Sequence, residues 1–168
     1  LDALKDAPVS VEGGAGNDTL ILDRPRTSGV DYFQIDMNQG TVVYDWTTAK
    51  TILKLDPNGI ENIEVAGSSN LRIYVTQNAA NNYIKGGASY DYVSYSTSAD
   101  PVRLITNEAT GSNPYQYIVT GAGTDTLEGI ENIWYGSRYA DTMTGGSRGD
   151  YFHGHEGNDS ILGGGGND

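Results

Sequence analysis

The sequence predicts an all-β chain, in which short strands and glycine-rich loops wind into a coil interrupted by β-hairpin and strand inserts. Three observations predict it. The last stretch repeats every nine residues, with glycine, aspartate and an apolar residue in fixed slots. Elsewhere, short runs rich in Val, Ile, Thr and Tyr lie between turn residues, as half-buried strands do. No segment carries the apolar spacing of an amphipathic helix.

The repeats read GSRYADTMT (136–144), GGSRGDYFH (145–153), GHEGNDSIL (154–162) and the truncated GGGGND (163–168). Each opens on glycine (Gly136, Gly145, Gly154, Gly163), and each has aspartate in sixth place (Asp141, Asp150, Asp159, Asp168). The complete ones carry Met143, Phe152 or Ile161 in eighth place. A fixed period implies stacked, near-identical units. Glycine suits the tight loop of each unit, as Gly157 does in the third. The remainder is a brief strand with one residue turned inward.

Stacking brings equivalent aspartates to about 5 Å, one strand spacing. Two carboxylates at that distance repel by roughly 1 kcal/mol in water and by more at a partly buried site. A hard divalent cation removes the repulsion. Calcium takes six to eight oxygen ligands, carboxylate and carbonyl alike, whereas magnesium demands a small octahedron and keeps its waters. The expected cofactor is Ca2+, with Gly136, Asp141, Gly145, Asp150, Gly154, Gly157, Asp159, Gly163 and Asp168 forming its loops.

These segments resemble the glycine-rich nonapeptides of RTX (repeats-in-toxin) proteins, which bacteria export by type I secretion. The resemblance implies a parallel β-roll, a right-handed β-solenoid in which each nonapeptide is half a turn. Calcium would sit between loops two repeats apart. Asp141 and Asp159 would then share one flank, and Asp150 and Asp168 the other.

Further upstream, GGAGNDTLI (13–21) matches the pattern at every defined position, with Gly13, Gly16 and Asp18. GGASYDYVS (86–94) keeps Gly86 and Asp91, and TGAGTDTLE (120–128) keeps Gly123 and Asp125. These seven residues are secondary calcium candidates. QNAANNYIK (77–85) has Asn82 where the acid belongs, so it reads as a degenerate coil.

Two related modules are expected, 1–83 and 84–168, packed as one continuous array. VEGGAGNDTLIL (11–22) corresponds to IKGGASYDYVSY (84–95), and GIENI recurs at 59–63 and 129–133. GIENI reads as a strand facing the core through Ile60, Ile63, Ile130 and Ile133. YFQIDM (32–37) and TVVYDW (41–46) flank Asn38-Gln39-Gly40 as a hairpin, which TILKL (51–55) extends. VRLIT (102–106) and YQYIV (115–119) flank a polar loop with Gly111 and Pro114.

Composition narrows the partners. Ten Lys+Arg against 22 Asp+Glu give a formal net charge of −12, which disfavours nucleic acid and anionic membranes. There is no cysteine, so disulfides and thiolate metal sites are excluded, and calcium is the expected staple. No apolar run is long enough to span a membrane. The chain opens on Leu1 and breaks off inside a repeat, as a piece of a larger protein would.

Several sharper motifs have blander explanations. His153, His155 and Glu156 suggest zinc, yet a catalytic site needs three ligands and an open position. Arg148-Gly149-Asp150 spells an attachment tripeptide, but Asp150 is claimed by the repeat. Asp56-Pro57 and Asp100-Pro101 read as turns. The tyrosines read as sheet packing, although a sugar-binding face is the alternative.

The resemblance implies a non-catalytic, calcium-dependent folding module of a large secreted or cell-surface bacterial protein of toxin, adhesin or surface-layer type. Its partners would be calcium ions, the type I secretion machinery through the parent protein, and a host-cell or glycan target. Two alternatives stay open. One is the accessory roll of a secreted metalloprotease, lipase or alginate epimerase. His-Glu-x-x-His does not occur in the chain, and the one Gly-x-Ser-x-Gly string, at 145–149, is part of a nonapeptide, so any catalytic domain would lie outside it. The other is a carbohydrate-binding solenoid with structural calcium.

Overall fold

The computed structural model describes residues 9–23, 32–36, 41–44, 51–55, 60–66, 70–74, 81–88, 90–106, 116–121 and 123–168. Among them every regular element is a strand. In chain order these are β1 (Val9–Val11), β2 (Thr19–Asp23), β3 (Tyr32–Asp36), β4 (Thr41–Tyr44), β5 (Thr51–Leu55), β6 (Asn62–Ala66), β7 (Asn70–Tyr74) and β8 (Tyr83–Lys85). Then follow β9 (Tyr92–Ser94), β10 (Arg103–Thr106), β11 (Gln116–Gly121), β12 (Gly123–Glu128), β13 (Asn132–Tyr135), β14 (Thr142–Thr144), β15 (Tyr151–Phe152) and β16 (Ser160–Leu162). The expected all-β class is what the structure has. The turn at Asn38-Gln39-Gly40, the loop with Gly111 and Pro114, and Asp56-Pro57 lie outside the described residues.

Two eight-stranded sheets form. The first runs β1-β5-β4-β3-β7-β9-β13-β15, and the second β16-β14-β10-β11-β12-β8-β6-β2. From β12 onward the chain changes sheet at every strand, and successive strands within a sheet are parallel. After β12, strands of two to four residues suffice, because each nonapeptide spends the rest of its length turning the corner.

The pairing pattern occurs twice. β1 lies parallel to β5, β2 to β6 and β3 to β7. Likewise β8 lies parallel to β12, β9 to β13 and β10 to β14. Between them β3-β4-β5 and β10-β11-β12 are antiparallel meanders. Each meander jumps ahead and steps back, so its last strand pairs with the strand that preceded the set's first corner. The first meander belongs to the first sheet and the second to the second.

Inward residues meet in one apolar cluster between the sheets. In the second sheet Ile63, Ile84 and Leu127 are register partners across β6, β8 and β12, and Leu104 lies beside Met143. In the first, Val93 and Ile133 are partners, and Phe152 packs against the cluster. Fully burying such a side chain contributes roughly 1.5–3 kcal/mol. All of these but Leu104, which follows Val102, stand two residues after an acid or amide, as in Glu61-x-Ile63, Asn82-x-Ile84, Asp91-x-Val93 and Asp141-x-Met143. That spacing fixes which residue of a short strand faces inward. The eighth-place residues are not equally covered: Met143 is buried, but Ile161 is 47% exposed because β16 is last in its sheet.

GIENI departs from expectation in one respect. Its four isoleucines are buried, but the strands begin only at Asn62 and Asn132. Gly129, Ile130 and Glu131 form a corner, as do Ile60 and Glu61. TGAGTDTLE is a second correction. It forms no repeat loop: Gly121 and Gly123 pair across the β11–β12 hairpin, and Asp125 lies within β12. Hairpin closure there outweighs the glycine pattern, because β11 and β12 pair along six positions.

The corners of the last repeats are tight. Gly157 has φ +117°, and a Cβ there would overlap the carbonyl of Tyr139 eighteen residues earlier. A Cβ on Gly165 would come no nearer to any neighbour than 3.7 Å, at Ser147 Cα and O. Gly157→Ala is therefore expected to destabilise the chain by about 2 kcal/mol, or roughly 5 °C in melting temperature. Gly165→Ala should stay within about 0.5 kcal/mol of wild type. Melting the two variants side by side in calcium checks this, and equal shifts would contradict it.

Candidate metal centre

Backbone amides just before the strands pose a problem that the sequence solves with acids. The sheet ladder has not yet begun at these positions, so their N–H groups need another acceptor. Asp141 N donates to Asp159 Oδ1 at 2.9 Å, and Asp150 N to Asp168 Oδ1 at 3.1 Å. Val102 N donates to Asp141 Oδ1 at 2.8 Å and Asn82 N to Asp125 Oδ1 at 3.0 Å. In the reverse direction, Ser160 N donates to Asp141 O and Asn132 N to Asp91 O. The sixth-place residue thus links each pass of the chain to the next through both its main chain and its carboxylate.

The structure brings together repeats two apart. The corner at 136–141 lies against 154–159, and that at 145–150 against 163–168. A Cβ on Gly136 would overlap Asp141 Oδ2 and sit 2.7 Å from Gly154 O. One on Gly145 would overlap Gly163 O and sit 2.5 Å from Asp150 Oδ2. Gly154 and Gly163 stand in the same relation to Asp159 Oδ2 and Asp168 Oδ2. Glycine is needed at first place because a carboxylate oxygen, and at Gly136 and Gly145 a neighbouring carbonyl, occupy the space of a side chain.

The secondary candidates divide. Gly86 repeats this arrangement: its Cβ would overlap Asp91 Oδ2 and Gly129 O, and Asp91 is fully buried. At Gly13 to Asp18, the Asp18 Oδ2 atom is buried without a hydrogen-bond partner among the described residues. Gly16 has φ +141° and a Cβ there would come 3.9 Å from that oxygen. Gly123 belongs to the hairpin, whereas Asp125 keeps the register of a sixth-place residue beside Asn82.

Sequence reasoning missed Glu61 and Glu131. Glu61 Oε2 accepts Asp18 N and Glu131 Oε2 accepts Asp91 N, each at 2.9 Å. Each stands one residue before its strand, the place a repeat aspartate takes. The signal was present: like each repeat aspartate, each glutamate stands two residues before a buried apolar one. Tyr117 was missed too. Its hydroxyl crosses the core to Asp150 Oδ1 at 2.5 Å, while its ring meets Phe152 edge-on. Asp150 is itself buried, which leaves Arg148-Gly149-Asp150 unsuited to presenting an acid to a partner.

Burial raises the carboxyl of Asp125 above the usual range, although donors from Asn82 and Tyr95 pull it back. Burial likewise raises Glu131, offset by the Asp91 amide. Tyr95 is raised well above an ordinary phenol by burial and then by Asp125.

The donor set fits calcium. A carboxylate and a backbone carbonyl, both hard oxygen donors, converge at Gly136, Gly145 and Gly86, and Asp18 contributes a buried oxygen in need of a partner. Among the described residues no three His, Asp or Glu side chains converge to hold a metal. His153 and His155 instead stand edge-on to Tyr135, at centroid distances of 4.7 and 5.2 Å. His155 N donates to His153 Nδ1 at 3.0 Å.

Residues 10–24 and 135–168 match the family of the RTX calcium-binding nonapeptide repeat, in four copies. No curated protein matches the chain. The corner at Gly86–Asp91 lies outside the matched residues yet has the same geometry.

The outer face of the second sheet carries a separate titratable link. Tyr83 Oη donates to Glu128 Oε2 at 2.6 Å, and burial followed by Glu128 pushes the phenol from 10.0 to about 12. The folded value is raised, so this contribution to stability is complete below pH 10 and is lost as pH rises through about 12. Spectrophotometric titration of the calcium-loaded chain should show an ionisation near pH 12 that Tyr83→Phe removes. An identical curve for the variant would refute the assignment.

Proposed function

We propose that this chain, which carries RTX calcium-binding nonapeptide repeats, is a non-catalytic, calcium-dependent folding module of a large secreted or cell-surface bacterial protein. In this reading its two modules, 1–83 and 84–168, stack as one parallel β-roll. Gly136, Asp141, Gly145, Asp150, Gly154, Gly157, Asp159, Gly163 and Asp168 form the principal calcium corners. Asp18 with Gly13 and Gly16, and Asp91 with Gly86, form further ones.

The observation that carries the proposal is the convergence of a carboxylate oxygen with the carbonyl of the repeat two further on at Gly136 and Gly145. Among the described residues no lysine or arginine pairs with Asp141 or Asp150, and the chain has 22 Asp+Glu against ten Lys+Arg. Bound calcium supplies the missing positive charge. The protein holds the carboxylates by amide bonds and the carbonyls by glycine corners. Where calcium is scarce, as in the cytosol, the acidic repeats repel one another and the chain stays open for export by the type I machinery of its parent protein. Millimolar extracellular calcium then closes the corners and completes the fold.

Calcium should therefore increase β-structure in the chain, and chelator should reverse the gain. Circular dichroism and melting in both conditions measure this, and identical curves with and without calcium would refute the proposal. Asp150→Ala or Asp159→Ala should raise the calcium midpoint by about tenfold, as loss of a metal-bound group does. Thr142→Ala, at an exposed position, serves as the control that should not move it. A calcium titration in which all three variants match wild type would remove these aspartates from the site.

A further inference from the structure

We propose that Asn82, Asp125 and Tyr95 form a metal-free clasp that keeps the middle of the array folded when calcium is absent. The proposal goes beyond the calcium reading, on which it rests only for the contrast between the middle and the C-terminal repeats.

Asp125 is only 4% exposed, and a buried carboxylate needs donors or a cation. It has three donors. Asn82 N and Asn82 Nδ2 donate to its Oδ1 at 3.0 and 2.8 Å, and Tyr95 Oη donates to its Oδ2 at 3.0 Å. Asn82 stands where Asp18, Glu61, Asp91, Glu131, Asp141 and Asp150 place an acid just before a strand. Its amide nitrogen presents a donor at the point where a sixth-place aspartate presents a second negative oxygen. Repulsion between neighbouring passes is thereby replaced by a hydrogen bond. Tyr95 directly follows β9 of the first sheet and Asp125 lies in β12 of the second, so the clasp also ties the sheets together.

The surroundings agree. β6, β8 and β12 are joined by the buried row Ile63, Ile84 and Leu127. On the outer face they are linked by Lys85 Nζ to Glu64 Oε1 at 3.2 Å and by Tyr83 to Glu128. Ile60 and Ile130, two residues before β6 and β13, are buried. The C-terminal repeats have the opposite character: long glycine corners, strands of two or three residues, and Ile161 and Leu162 exposed. Asn82 Oδ1 is buried without a hydrogen-bond partner among the described residues. Asn82→Asp would turn that atom, or its nitrogen neighbour, into a charged oxygen beside Asp125.

Hydrogen exchange of the full chain in chelator and in calcium tests the clasp. In chelator, amides at 83–95 and 123–133 should exchange on the order of 100-fold more slowly than those at 142–162. Asn82→Ala and Tyr95→Phe should each cut that protection by about tenfold or more. Thr142→Ala, at an exposed position, should leave it unchanged. Asn82→Asp should lose the protection in chelator and regain it in calcium, which separates a changed requirement from a failure to fold. The clasp is overturned if the middle exchanges as fast as 142–162 in chelator. It is equally overturned if Asn82→Ala and Asn82→Asp both keep wild-type protection there. Failure of the calcium reading looks different: 142–162 would then be equally protected in both conditions, and the Asn82 variants alone would decide for or against the clasp.

Discussion

One hydrogen bond organises this molecule: the amide just before a strand donating to a carboxylate on the neighbouring pass. It occurs at Asp18, Asn82, Asp91, Val102, Asp141 and Asp150, with Glu61, Asp125, Glu131, Asp141, Asp159 and Asp168 as acceptors. The bond sets the register of strands too short to set it themselves. A two-residue strand such as β15 has little ladder to hold it, and a slip by one residue would turn Phe152 outward. A charge-assisted bond at the strand's first residue, worth about 1.5–3 kcal/mol, removes that freedom. The same bond also lines up like charges along an edge, and from that follows the need for compensation.

The chain compensates in three chemically distinct ways. At the C-terminal repeats, glycine corners bring carbonyls to the carboxylates, an oxygen set suited to a hard cation. At GIENI, an isoleucine is buried and the longer acid after it reaches the neighbouring amide. At β8 and β12, an asparagine takes the place of one acid and donates to the other. Tyrosine hydroxyls contribute twice, from Tyr95 to Asp125 and from Tyr117 to Asp150. These phenols cross the core, so the edges of the array and its apolar centre are not independent.

The meanders explain how a regular array tolerates long inserts. Each adds two strands to one sheet and returns the chain to the strand beside its origin, leaving the other sheet undisturbed. From β1 to β8 the chain changes sheet at β1–β2, β2–β3, β5–β6, β6–β7 and β7–β8, an odd number of times. The second set of seven strands therefore starts on the opposite sheet. Related sequences consequently build opposite faces: GIENI leads into the second sheet at β6 and into the first at β13.

The sequence by itself determined the strand class, the inward residues and the nine-residue corners, because each follows from local spacing. An acid two residues before an apolar position needs no distant contact to be read. The oxygen chemistry of Asp141, Asp150, Asp159 and Asp168 was legible for the same reason. Only the tertiary structure decided which acids meet which amides. Glu61 lies 43 residues from Asp18 in the chain, and Glu131 lies 40 from Asp91; the meanders that bring them together have no fixed period. The tertiary structure also overrode the glycine pattern at 120–128, where pairing with β11 outweighed local resemblance. Finally, it gave Asn82 a partner. A lone asparagine in an acid's position reads as decay until Asp125 and Tyr95 are found beside it, because a hydrogen bond across the fold leaves no mark on local spacing.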